Sequence, residues 1–267
     1  MEGLIPIVNA INKSAIKCAQ GFYHFTKGDR TKAIENLSAA IAFYNVDADK
    51  THQQLFGFDV GVFAKATIAR AYADQDKQEK ALHWSHIALE EARGFDHIPS
   101  IGISLMYKGL VHQHYQNKNE ARQVALELID ISEKYHLPIY LGFGQMLYDW
   151  SVNDTSRADE ILDRLKSAGS KHGLGHFQSF YADLYAEKHQ YQKAVEKINE
   201  CLLLDQSINE DNFIAYLYYK KAKYLFFSED SESFYKALAL AENFAQKQNI
   251  FYLLKAGKDI KLKEAHH

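Results

Sequence analysis

The sequence predicts an all-α fold, an α-α superhelix built as a solenoid of about six helical hairpins, on three observations. An alanine recurs at one place in each hairpin, at Ala33, Ala81, Ala121, Ala158, Ala194 and Ala237, with spacings of 48, 40, 37, 36 and 43 residues. Glycine (14) and proline (3) are scarce in 267 residues, whereas a strand-rich or loop-rich chain needs many of both for its turns. Hydrophobic residues make up 47% and charged residues 24%, which fits a chain with a buried core rather than a disordered one. A hairpin of this length cannot bury its apolar face alone, so neighbours must stack. An array grows by adding units, and a single repeat domain over residues 1–267 is expected.

The hairpins are expected at 12–45, 60–94, 99–136, 138–172, 174–206 and 210–248, followed by a terminal helix at 250–264. In the first, Gly21 stands twelve residues before Ala33, Gly28 five before and Ala40 seven after. The same frame puts Ala69 and Ala88 around Ala81, Gly109 before Ala121, and Ala182 and Cys201 around Ala194. Small side chains at these offsets let helix axes approach to about 8–10 Å. Tyr72 and Tyr185 follow three residues after the small residue, where a ring fills the space between hairpins. The fourth hairpin departs from the pattern, with Met146 and Asp149 in the small and aromatic places.

This pattern resembles the tetratricopeptide repeat (TPR) over roughly residues 12–248, with spacings longer than the usual 34 residues. Other segments resemble the C-terminal repeat region of bacterial predicted-ATPase adenylate cyclases and MalT-like transcriptional regulators. They are Lys27-Gly28-Asp29, Phe43-Tyr44, Gly57-Phe58-Asp59-Val60-Gly61, His97-Ile98-Pro99-Ser100, Leu137-Pro138-Ile139-Tyr140-Leu141, Asn209-Glu210 and the run Tyr216 to Ala222. Val60 stands where that family usually has proline, and Tyr216 and Tyr219 where it has an acidic and a basic residue. The resemblance implies a regulatory part of a bacterial signalling or transcription-control system, although no ATPase, cyclase or DNA-binding motif is read in these residues.

In stacked hairpins of this type the first helices line the concave surface. Inward positions are then Phe63 and Arg70; Met106, Gln113 and His114; Tyr140, Phe143, Leu147 and Trp150; His176, Ser179 and Asp183; and Tyr216, Tyr219, Lys223 and Phe226. They form an aromatic groove with a few polar anchors, suited to a peptide or protein segment whose carboxylate meets Arg70 or Lys223. The competing reading is that individual rings pack against the next hairpin, and that Arg70 and Asp183 are structural ion-pair partners or solvated. A small-molecule effector such as an oligosaccharide, held by aromatic platforms with His176, Gln113 and Asp183, is the alternative that the MalT-like resemblance implies. A third reading is self-association, with the apolar Met1–Ile11 segment covering one end of the array or docking to a partner chain.

Other chemistry has little support. The net charge of -3 and the pI near 6.5 lack the basic face of a dedicated nucleic-acid binder. The Lys255, Lys258, Lys261 and Lys263 series reads as a solvated helix face. Cys18 and Cys201 form neither a disulfide framework nor a zinc motif, in keeping with a reducing cytoplasm. His83 with His86 and His112 with His114 lack further ligands, so no metal is expected. Gly142-Phe143-Gly144 and Gly173-Leu174-Gly175 lie among helices and read as packing and turn sites, not phosphate loops. No nucleophile elbow or paired-carboxylate signature appears, so neither an enzyme nor a cofactor is expected. The N-terminus lacks a basic leader, no apolar run is long enough to span a bilayer, and His266 and His267 carry no functional weight.

Overall fold

A computed structural model describes residues 4–45, 53–170 and 172–264. Side chains of residues 4–12, 251 and 262–264 are outside that description, as are the expected apolar cap at Met1–Ile11, the Lys263 side chain and the His266-His267 pair. Among the described residues the principal helices are α1 (Leu4–Thr26), α2 (Arg30–Phe43), α3 (Val60–Asp74), α4 (Gln78–Gly94), α5 (Ile98–His114), α6 (Lys118–Lys134) and α7 (Pro138–Val152). They continue with α8 (Ala158–Ser167), α9 (Leu174–Glu187), α10 (Tyr191–Ser207), α11 (Ile214–Phe227), α12 (Ser231–Gln248) and α13 (Phe251–Glu264).

Helix ends follow from local chemistry. Asp29, Asp59 and Asp230 each accept a hydrogen bond from the backbone N–H three residues on, at 3.0, 2.9 and 3.1 Å, which satisfies a donor that the first turn leaves open. Pro99 lies in the first turn of α5 and Pro138 begins α7, where a missing N–H costs nothing. At the other ends single residues take left-handed backbone. They recur every 20 residues at Asp76, Asp96, Gln116 and His136, and again at His189, Asn209, Glu229 and Asn249, with φ between 51° and 61°. None is glycine, so composition conceals these stops. A helix with its turn thus occupies 20 residues, and a hairpin is longer than the 34-residue tetratricopeptide unit.

The chain divides into two compact units, Met1–Phe25 with Asp29–Gly144, and Thr26–Gly28 with Gln145–His267. In the N-terminal unit, α3 packs against α2, α4 and α5, and every residue of α3 except Tyr72 is buried. By contrast α4 buries one stripe, Ala81, Ser85, Ala88, Leu89 and Ala92, at helical spacing. The same alternation separates α5 from α6, whose stripe is Ala121, Val124, Ala125, Leu128 and Ser132. In the C-terminal unit α9 is buried along nearly its whole length while α10 buries one face, and α13 packs on α11 and α12.

All six recurring alanines are buried, from 0% exposure at Ala33 to 4% at Ala158. Gly21 is needed for close approach, since a Cβ there would lie 2.5 Å from Leu37 Cγ and 2.9 Å from its backbone nitrogen. No described helix is long and apolar enough to cross a membrane.

Candidate functional site

First helices packed on several sides leave little of their inward face open, and this decides where the expected groove residues lie. In the N-terminal unit Arg70 is wholly buried. Its NH2 lies 2.9 Å from Asp74 Oδ1, while Arg30 Nε donates to Asp74 Oδ2 at 2.5 Å. Arg70 NH1 donates to the Leu110 carbonyl at 3.2 Å and Arg30 NH1 to the Phe25 carbonyl at 3.1 Å, so the three side chains tie α2, α3 and α5 together with the end of α1. Burial alone would raise the Asp74 carboxyl, but the charges of Arg30 and Arg70 outweigh it and hold it below the usual carboxylate range. Burial, with Arg70 nearby, pushes the neighbouring His114 imidazole down to about 3, so that ring is neutral at pH 7. Arg70 thus lies away from any open groove, and its charge is answered inside the core.

Phe63 is also a core residue here, 6% exposed between Phe22, Phe58 and Tyr107. Gln113 and Phe143 are buried, and Met106 and Tyr140 are half-buried against the clusters around α3 and α5. Burial pushes the Tyr140 hydroxyl up to about 12.

In the C-terminal unit Trp150 is 0% exposed, with the Phe180 ring 6.2 Å away. Beside it Asp149 is wholly buried and accepts from Arg157 and, at 3.0 Å, from the Tyr181 hydroxyl; burial nevertheless leaves its carboxyl above the usual range. His176 stacks on Phe213 with ring centroids 4.0 Å apart and interplanar angle 10°. Tyr216 packs toward Tyr252 at 5.6 Å. These residues tie α7 to α9 and pack around α9, α11 and α13, and they do not line an open surface.

A smaller set stays accessible. Lys220 of α11 donates to Asp183 of α9 at 2.7 Å and to the Ser179 hydroxyl at 2.9 Å, and the Tyr224 hydroxyl donates to the other Asp183 oxygen. Both charged side chains are partly exposed, at 13% for Lys220 and 21% for Asp183. Tyr216, Tyr219 and Lys223 follow i, i+3 and i+7 on α11 and so share a face. Tyr219 is half-buried and Lys223 exposed. Burial, and then Asp259, raise the Tyr219 hydroxyl.

Two features were missed in the sequence. Lys220 had no assigned role, although its place beside Tyr219 and one hairpin after Asp183 was the available signal. The other is an apolar cavity of about 300 Å³ in the N-terminal unit, lined in part by Cys18, Phe22, Phe56 and Phe58. Among the described residues no three His, Cys, Asp or Glu side chains form a cluster able to hold a metal ion.

No family model matches this sequence, and no curated protein matches it. Among solved structures the chain is similar to the apo form of RapI, at 9% identity over 95% of this chain and 97% of that one, with a TM-score of 0.54. The fold is a tetratricopeptide-like arrangement of helical hairpins. A tetratricopeptide repeat protein from Parabacteroides merdae aligns at 18% identity over 92% and 99% of the two chains, with a TM-score of 0.47. The TPR2AB domain of yeast Sti1, in complex with pHSP90, aligns at 13% identity over 94% and 98% of the two chains, with a TM-score of 0.40.

Proposed function

We propose that this chain is a non-catalytic scaffold that binds a peptide or a protein segment, and that its C-terminal unit carries the contact surface. The observation behind this reading is the half-exposed face of α9 and α11, where the Asp183–Lys220 pair sits beside Tyr219 and Lys223. A side-chain amide or backbone of a peptide can hydrogen-bond to the pair at its exposed edge, Tyr219 offers a ring at small entropic cost, and Lys223 a free charge for a carboxylate. The wider context is a regulatory part of a bacterial, cytoplasmic signalling or transcription-control system. It rests on the resemblance of the quoted segments to repeat regions of predicted-ATPase cyclases and MalT-like regulators. Oligosaccharide sensing would need polar groups turned to solvent, and Gln113 and His176, at 5% and 2% exposure, are poorly placed for it.

Selection of a random peptide display library on the purified chain tests the reading. A recurrent motif is expected, and Tyr219→Ala and Lys223→Glu should each weaken the selected peptide about tenfold or more, the loss expected for an anchor residue. A library with no enrichment, or peptides that bind both variants as tightly as the parent, would sink it.

A further inference from the structure

The apolar pocket of the N-terminal unit is lined by none of the residues of the proposed contact surface. It is a pocket of about 300 Å³, partly open to solvent where Phe56 is exposed, and is walled by Cys18 and Phe22 of α1, Phe56 and Phe58 of the segment before α3, and Val60 and Phe63 of α3. Three ring contacts build the wall, at 5.1 Å between Phe22 and Phe63, 4.6 Å between Phe58 and Phe63 and 6.3 Å between Phe56 and Phe58. Ala15 and Ala19 also line it, and Ala19 is exposed, so it lies at the mouth toward solvent.

We propose that this cavity is a binding site for a small, uncharged, apolar molecule, aromatic or aliphatic. The chemistry of the wall selects that class. Among the described lining residues the one polar side-chain group is the Cys18 thiol, which already points to the Val60 carbonyl at 3.8 Å, and burial pushes that thiol up to about 12, so it stays neutral. A charged or strongly hydrogen-bonding ligand would lose its hydration there with nothing to replace it. Size sets the upper limit: the volume is roughly twice the ~150 Å³ apolar cavity that accepts benzene, so a bicyclic aromatic fits. A larger side chain at Ala15 or Ala19 would occupy this volume, so the two small residues leave the space open.

The test uses the full chain and 1-aminonaphthalene, a fluorescent bicyclic aromatic that is uncharged at neutral pH. A saturable rise in emission with one probe per chain is expected. Ala19→Trp fills the mouth from an exposed position, and Ala15→Leu fills the wall; each should weaken the probe at least tenfold while the helical circular dichroism and melting temperature are kept. Naphthalene should compete. Absence of saturable binding, or equal affinity in both filled variants, overturns the proposal. So does co-sedimentation of the parent, but not of Ala19→Trp, with phosphatidylcholine vesicles, which would assign the cavity to a lipid chain. The peptide selection above reads residues on α11, so either result can fail while the other stands.

Discussion

Asp74 and Asp205 are both buried, and their carboxyls titrate in opposite directions because their surroundings differ. Asp74 lies between two guanidinium groups, and removing its charge leaves Arg30 and Arg70 facing each other without water. Asp74→Asn should lower stability by about 3–5 kcal/mol in urea unfolding, the range for breaking a buried pair by removing one partner. Asp205 has no hydrogen-bond partner for either oxygen among the described residues, and it lies against Gly175, where a Cβ would collide with it. Burial, then the nearby Glu210 and Asp211, push its carboxyl up to about 8, so it is largely protonated at pH 7. The proton must be taken up on folding, and Asp205→Asn removes that requirement. The variant should be more stable at pH 7, on the order of 2–4 kcal/mol, and an unchanged urea midpoint would show that the carboxyl is not protonated. At this scale the sequence was partly legible. Arg70 and Asp74 stand at i and i+4, so their pairing was available, whereas Arg30 reaches Asp74 only through the packing of α2 on α3.

At the level of helices the alanine frame carried the fold class, because an alanine marks where a second helix must come close. Helix ends were harder to read. Among the described residues nine of the stops are left-handed residues other than glycine, among them Gln116 and Glu229, which ordinarily favour helix interiors. Glu229 is exposed with φ 61°, a conformation in which its Cβ crowds the backbone. Glu229→Gly should therefore raise stability by roughly 0.5–1 kcal/mol, seen as a higher melting temperature; a lower one would mean that the turn does not hold this conformation in solution. The expected groove residues divide into buried and accessible ones for a related reason. An inward position on a first helix is not the same as an accessible one: α3 and α9 are packed along nearly their whole length, so Phe63 and His176 are absorbed by neighbouring helices, and Trp150 of α7 packs against Phe180. Periodicity distinguishes a face from its opposite; it does not tell how far the neighbouring helix covers that face.

For the molecule as a whole, the two compact units carry opposite pH responses, and the two tryptophans, Trp84 in the first and Trp150 in the second, report on them separately. In the N-terminal unit the His114 imidazole is held at about 3, so between the ordinary histidine value of 6.5 and pH 3 the unfolded chain binds a proton that the folded unit refuses. The lowered Asp74 carboxyl acts in the same sense, since its contribution is present above the unfolded carboxylate value and is lost as pH falls through its folded one. This unit loses stability on acidification. In the C-terminal unit the sign is reversed. Asp205 is raised to about 8, so its contribution is complete below the ordinary value of 3.8 and is lost as pH rises through about 8; the raised Asp149 carboxyl adds to the same trend. Urea unfolding followed by tryptophan emission, with Trp84→Phe and Trp150→Phe isolating each signal, should show the Trp84 midpoint falling faster between pH 6.5 and 4 and the Trp150 midpoint falling faster between pH 6 and 8.5. Asp205→Asn should flatten the second slope and leave the first unchanged. Coincident midpoints at every pH would instead mean that the chain unfolds as one cooperative body, with the two titrations summed into a single curve.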